Sequence, residues 1–388
     1  MTGVGVCVVP PESGPRRARF AGMPGPATLR LRGRILVGPD EVPDDAWVID
    51  GRISFEAPTS GGPDAPTVHG WALPGLVDAH SHIGLDAQGP VDAGTQEVQA
   101  TTDRDSGALL IRDAGSPADT RWIDGRDDLP RIVRAGRHIA RTRRYLRGIA
   151  DEVEPEDLPG CVAREAARGD GWVKLVGDWI DRDLGDLAPC WPAEALVAAI
   201  SAAHAAGARV TAHCFGEDCL PDLLAAGIDC IEHACGLTDA TREVVAEAGV
   251  AIVPTLTNIA TFPAIAESGR ERFPTWAAHL LALHARRQEN VRAAYEAGIP
   301  VFVGTDAGGS LPHGLVAREV AELVVAGIPP PAAVSAACWA AREWLGRPGL
   351  TEGESADLVV YDADPRLDVG VLAYPRLVVL RGRPVLPR

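Results

Sequence analysis

Residues 172–213 read WVKLVGDWIDRDLGDLAPCWPAEALVAAISAAHAAGARVTAH. Trp172–Val176 is a short strand-like run interrupted by one lysine. Residues 193–206 form an apolar, alanine-rich helical segment stopped by Gly207, and Arg209–His213 is strand-like again. Strand, helix and strand in that order make a parallel βαβ unit. The alternation extends both ways, with candidate strands at Leu76–His80, Ala108–Asp113, Arg131–Ala135, Trp172–Val176, Arg209–His213, Ile228–His233, Ala251–Thr255 and Pro300–Thr305. Helices are expected at Ala193–Ala206, Asp239–Ala248 and Ala277–Ala297, each followed closely by Gly, and after the last strand at Val316–Ala326 and Pro331–Leu345. Eight strands alternating with helices predict an α/β fold of the (β/α)8 TIM-barrel type. A doubly wound open sheet is the alternative, but no glycine-rich nucleotide loop follows the first strand.

The flanks read differently. LRLRGRILVG (29–38) and DDAWVIDGRISFEA (44–57), like ADLVVYDADPRLD (356–368) and RLVVLRGRPVL (376–386), are short strands punctuated by Gly and Pro. They predict a small β-sandwich built from both chain ends, 27–72 and 350–388, around a barrel domain at 73–349. Residues 1–26 lack a basic region ahead of their apolar stretch and read as a disordered leader rather than a signal peptide, with Met23 as an alternative start.

Across 388 residues, 46% hydrophobic and 23% charged, the composition is that of an ordinary globular protein. A formal net charge of −16 argues against nucleic-acid or anionic-membrane partners, which favour a basic face. No apolar run approaches the ~18–20 residues that span a bilayer. Eight scattered cysteines without a CxxC pair read as reduced, mostly buried thiols. The expectation is a cytoplasmic protein acting on a small molecule, with a homo-oligomeric state left open.

Ligand-type residues stand at the strand ends, where barrel enzymes keep their active sites. The first strand runs into His80 and His82, two residues apart and so on one face of an ideal strand. The fourth carries Lys174, the fifth ends at His213, the sixth at His233 and the eighth at Asp306. Lys174 is the one lysine in a chain that otherwise uses arginine, so it is expected where a guanidinium cannot substitute: an amine can lose its proton and react. Each residue alone has a structural explanation, a hydrogen-bonded core histidine or a turn-capping aspartate. Their conjunction at the ends of separate strands points to a metal site, and zinc is the first choice for so many histidines, with Mn, Fe, Ni or Co as alternatives.

ALPGLVDAHSH (72–82) resembles the first-strand signature of the amidohydrolase superfamily, and GTDAG (304–308) its eighth-strand signature. GESADLVVYDADP (353–365) is similar to the segment that returns to that superfamily's β-sandwich, and the likeness runs from Ala27 to the C-terminus. The spacing is most similar to the prolidase-like and imidazolonepropionase-related branch, whose helix after the eighth strand often begins PHG, here Pro312-His313-Gly314. The resemblance implies two divalent metals, one held by His80, His82 and Asp306 and the other by His213 and His233. It also implies a CO2-derived carbamate on Lys174 that bridges them together with a hydroxide. Asp306 would take the proton of the attacking water and pass it to the leaving nitrogen. The implied reaction is hydrolysis of an amide, cyclic amide or peptide-like bond of a small metabolite.

Departures bear on the pocket. Where relatives carry Gly-Gly-His after the third strand, this chain has IARTRRY (139–145), placing Tyr145 at the histidine's position as an oxyanion donor or a packing residue. A Gly-Gly pair common after the strand-four lysine is replaced by Val176-Gly177-Asp178-Trp179. The stretch RAGRHIARTRRYLRG (134–148) offers His138 and Arg144 to an acidic substrate group, or is a solvated basic helix face. His313, at the start of a helix, is expected to contact substrate or to cap. The same centre could serve a lactonase, esterase or phosphotriesterase. A mononuclear deaminase would need Glu three residues after His213, where Gly216 stands, with Glu217 one step too far. A metal-free binding protein is the non-enzymatic alternative.

Overall fold

The computed structural model describes residues 28–59 and 64–385, so the expected leader and the alternative start at Met23 lie outside the described residues. Two all-parallel sheets form the middle of the chain. Leu76–Ser81, Ala108–Asp113 and Arg131–Arg134 pair in that order. The second sheet has the order Asp151–Val153, Ile139–Arg141, Trp172–Val176, Arg209–Cys214, Cys230–His233 and Ala251–Val253. The expected eighth strand, Pro300–Thr305, is not a regular strand. It makes isolated parallel bridges, Ile252 with Val301 and Ser81 with Ala307, because its donors are divided: Phe302 N bonds Ile252 O, Val303 N the helix carbonyl of Ala336, and Thr305 N the carbonyl of His80.

Side chains alternate across these strands as a period of two requires. Trp172 joins an inner cluster with Val77, Ala79, Leu110, Val133, Cys230, Ala251, Val253 and Phe302. Val173, Leu175, Val210, Ala212, Ile231 and Ile252 face the other way, into a larger core shared with the surrounding helices. Lys174, next but one to Trp172, therefore sits on the inner side.

Helices occupy Ala193–Ala205, Asp239–Ala248, Pro274–Glu296 and Val316–Val325, close to expectation. Asp239–Ala248 shows why: the Thr238 side chain accepts from Thr241 N at its start, and Gly249 ends it at φ 66°. The expected helix Pro331–Leu345 is instead two, Pro330–Ala336 and Trp339–Trp344. The break falls where the carbonyls of Ala336 and Ala337 accept from Val303 N and Val77 N of the parallel sheet. Helix Ala93–Asp105 had no readable apolar stripe, since its buried positions are Gln96, Ala100, Asp103 and Arg104. The stretch 134–148 is not a helix face either: it holds strand Ile139–Arg141 and then turns.

Strands from both chain ends join one seven-stranded sheet, in the order Arg383–Val385, Leu377–Leu380, Leu358–Tyr361, Thr67–Pro74, Leu29–Ile35, Asp45–Ile49, Arg52–Ser54. Among the described residues no helix is long and apolar enough to cross a membrane. The seven described cysteines are all buried and free.

Candidate metal centre

His80 and His82 meet at their Nε2 atoms, 3.2 Å apart. Simple alternation does not account for this, since Val77 and Ala79 already lie in the inner cluster and His80 would turn outward. The strand pairing shifts register between Asp78 and Ser81, and that irregularity brings both imidazoles to the same point. Gly304 leaves the space, because a Cβ there would lie 2.6 Å from His80 Cβ and 2.4 Å from Val253 Cγ1.

The far nitrogen of each ring is fixed. His80 Nδ1 lies 2.7 Å from the Glu232 carboxylate, and His82 Nδ1 lies 2.6 Å from the carbonyl oxygen of Gly115. A carbonyl can only accept, and an ionised carboxylate likewise, so both Nδ1 atoms carry a proton, and in the neutral rings both Nε2 atoms present lone pairs. Asp306 Oδ1 stands 3.1 Å from His80 Nε2 and 2.9 Å from His82 Nε2. Three such groups converging on one point suit a cation between them.

His233 turns its Nε2 toward the same region, 3.0 Å from His213 Nδ1, while its Nδ1 lies 2.7 Å from Thr255 Oγ1. His213 Nε2 is buried without a hydrogen-bond partner. Ligand atoms of His80, His233 and Asp306 all fall within 4.8 Å of one another, a possible metal site. His233, Thr255 and Asp306 take positive φ of 66°, 47° and 56°, strained for residues with a Cβ, and all three lie at this centre. Asn258 Nδ2 donates to Asp306 Oδ2, holding the carboxylate from the other side.

Burial, reinforced by neighbouring cationic groups, holds His82, His213 and His233 below the ordinary histidine range and keeps them neutral as ligands must be. At His80, burial and Lys174 act downward, but Glu232 and Asp306 outweigh them and raise it. Lys174 is 1% exposed, and burial lowers its pKa against the pull of Glu232 and Asp306. Lys174 stands opposite Thr211 in the paired strand, and the Thr211 hydroxyl donates to the same Glu232 that holds His80. Asp306 is held well below the usual carboxylate range: His80 and His82 overcome its burial.

The other expected residues divide. His138 and Tyr145 join the centre. The His138 ring lies 5.1 Å from that of His82 and 5.4 Å from that of Tyr145, and Tyr145 lies 5.7 Å from His213. Burial keeps His138 neutral and the Tyr145 phenol protonated. Arg144 is turned away, pairing with Asp181 at 2.8 Å and donating to the carbonyls of Trp179 and Ala188. His313 is not in contact with the ligand set; its Nδ1 lies 2.8 Å from Asp103, whose other oxygen accepts from Gly314 N. Glu217, the near miss for a deaminase acid, is engaged by His279 and Arg286.

Sequence reading missed Glu232. It is fully buried and accepts from His80, from Arg112 and from the Thr211 hydroxyl. An acid inside the apolar run CIEH, on the same face as Cys230, was its available signal. Asn258 and Thr255 gave none, lying after the seventh strand in a segment that only folding brings back.

A profile of the amidohydrolase family matches residues 186–385, just over half of the chain. Uncharacterized proteins of Mycobacterium tuberculosis and Mycobacterium bovis are 56% identical over 363 residues, covering 93% of this chain and 97% of each relative. Among solved structures, a Xaa-Pro dipeptidase with bound methionine superposes with a TM-score of 0.78 at 22% identity, covering 92% of this chain and 100% of that one. The ochratoxinase of A. niger gives 0.75 at 19% identity, covering 92% and 95%.

Proposed function

Because the chain belongs to the amidohydrolase family, and is therefore a hydrolase acting on carbon–nitrogen bonds, we propose that its centre binds two divalent cations and hydrolyses an amide or cyclic amide of a small metabolite. His80, His82 and Asp306 would hold one ion, His213 and His233 the second, with zinc as the first choice. The observation that carries this reading is the convergence of His80 Nε2, His82 Nε2 and Asp306 Oδ1 within 3.2 Å of each other, beside the buried and unpartnered His213 Nε2. Bound cations there supply Lewis acidity toward a scissile carbonyl and toward water.

Lys174 fits a bridging role through its chemistry. Only a neutral amine adds CO2, and burial favours the neutral amine. The carbamate so formed is an anion placed among four histidines. Asp306, 16% exposed and held ionised, is positioned to accept a proton from water and deliver it to the leaving nitrogen, while Asn258 fixes its orientation. The neutral Tyr145 phenol serves as a hydrogen-bond donor to the developing oxyanion.

We also infer that the parallel strands close into a (β/α)8 barrel at 73–349. The inner cluster draws on both sheets and on Phe302, and residues 300–307 hydrogen-bond to the last strand of one sheet and the first of the other. A separate core containing Leu31, Val48, Val68, Leu358 and Val379 supports a sandwich-like flanking domain at 27–72 and 350–388.

The test pairs metal analysis with one variant. Protein purified without chelator should carry close to two equivalents of metal. Lys174→Arg, which keeps the charge but cannot form the carbamate, should lose the second equivalent and all turnover. Full activity with a single equivalent would sink the binuclear reading.

A further inference from the structure

Three aromatic rings from three separate segments meet on the His213 side of the centre. Tyr145 packs edge-on to Trp179 at 4.8 Å, and Trp179 stacks toward Phe215 at 6.5 Å. Phe215 lies 4.2 Å from the His213 ring and 4.8 Å from that of His233, with Phe262 backing it at 4.8 Å. Trp179 is 5.4 Å from His213. All three rings remain half-buried, whereas Trp172 of the inner cluster is sealed at 1% exposure. Rings serving only the core would be sealed in the same way; these three residues keep partial exposure beside the buried histidines.

Two neighbouring guanidiniums are engaged elsewhere. Arg144 commits its donors to Asp181 and to the carbonyls of Trp179 and Ala188, and Arg141 donates to the carbonyl of Cys190. A carboxylate seated against the three rings would lose hydration against apolar faces.

We infer that the Tyr145–Trp179–Phe215 wall receives an uncharged aryl or compact cyclic group flanking the scissile bond. The substrate class is then an apolar-substituted amide, not a compound with a carboxylate beside that bond. This rests on the proposed metal-dependent hydrolysis.

Three hydroxamic acids with one metal-chelating head separate the two ideas, their affinities measured calorimetrically on the metal-loaded enzyme. Benzohydroxamic acid should bind roughly 30-fold tighter than acetohydroxamic acid, and also tighter than the anionic succinic monohydroxamic acid. Trp179→Ala and Phe215→Ala should each shrink the phenyl-to-methyl ratio by roughly fivefold. Equal affinity of the phenyl and methyl compounds, or preference for the anionic one, overturns the wall's role and leaves the metal reading standing. Should a variant not fold, the wild-type ratio alone decides. Binding of none of the three to folded, metal-replete protein removes the proposed metal-dependent centre and the wall with it.

Discussion

His80 and His82 each have one nitrogen committed before any ligand arrives, and that commitment decides what the other nitrogen offers. Glu232 fixes His80, and Gly115 fixes His82 through a backbone carbonyl that no side-chain substitution removes. Glu232 in turn is held by Arg112, itself fully buried between the rings of Trp172 and Trp344 at 4.6 and 5.0 Å. A neutral amide at position 232 can still accept from His80, but it no longer raises the basicity of the opposite nitrogen. Glu232→Gln should therefore weaken metal binding by the apoprotein about 10–100-fold, read by competition with a chromophoric chelator. Unchanged affinity would show that His80 is oriented by its packing alone. Lys174 and the four histidines were legible because their residue types are unusual at strand ends. Glu232, Asn258 and Thr255 were not, because they act through ligands, and that relation exists only in three dimensions.

At the scale of elements, one imidazole of the long helix Pro274–Glu296 joins two other segments, beside the bonds that Arg286 and Asn290 make. His279 places Nδ1 2.9 Å from Asp186, on strand Asp186–Pro189, and Nε2 3.0 Å from Glu217, in the loop after His213. The bond to Glu217 raises its pKa most, against partial burial and with help from Asp186, to about 9. A histidine raised on folding contributes stability fully below its unfolded pKa of about 6.5 and loses it as pH rises through about 9. Urea midpoints should thus fall between pH 6.5 and 9 in the wild type, and fall less in His279→Gln, which starts lower. Parallel slopes in the two proteins would remove His279 from the pH dependence. The helices Ala193–Ala205, Asp239–Ala248, Pro274–Glu296 and Val316–Val325 were readable to within a few residues, whereas Leu158–Arg168 went unread despite burying Leu158, Cys161 and Val162. Ala93–Asp105 was not readable, because it buries Gln96, Asp103 and Arg104. The break at Ala337 was not, because its cause is a strand elsewhere in the chain.

For the whole molecule, a centre built from five or more segments distant in sequence links ligand binding to global stability. Leu76–Ser81, Trp172–Val176, Arg209–Cys214, Cys230–His233 and the 304–308 turn each contribute one or two groups, and acceptors facing each other repel until a cation joins them. Removing metal with a chelator should lower the Tm, and adding zinc at about 100 times its Kd should restore about 2.7 kcal/mol. An apoprotein melting at the same temperature as the loaded form would mean the ligands are held apart by the fold without help.

The order of strands and helices, the residue types at the strand ends and the singular lysine are properties of the linear chain, and they were enough to assign an α/β architecture and to propose a ligand set. Period and composition carry that information because local geometry alone sets which side chains share a face. Only the tertiary structure decided that His80 turns inward, through a register shift against Ala108–Asp113. It also decided that Arg144 clamps a hairpin instead of facing the centre, and that a buried glutamate orients the first ligand. Each of these depends on a partner more than thirty residues away, and no local pattern encodes which distant group a side chain will meet.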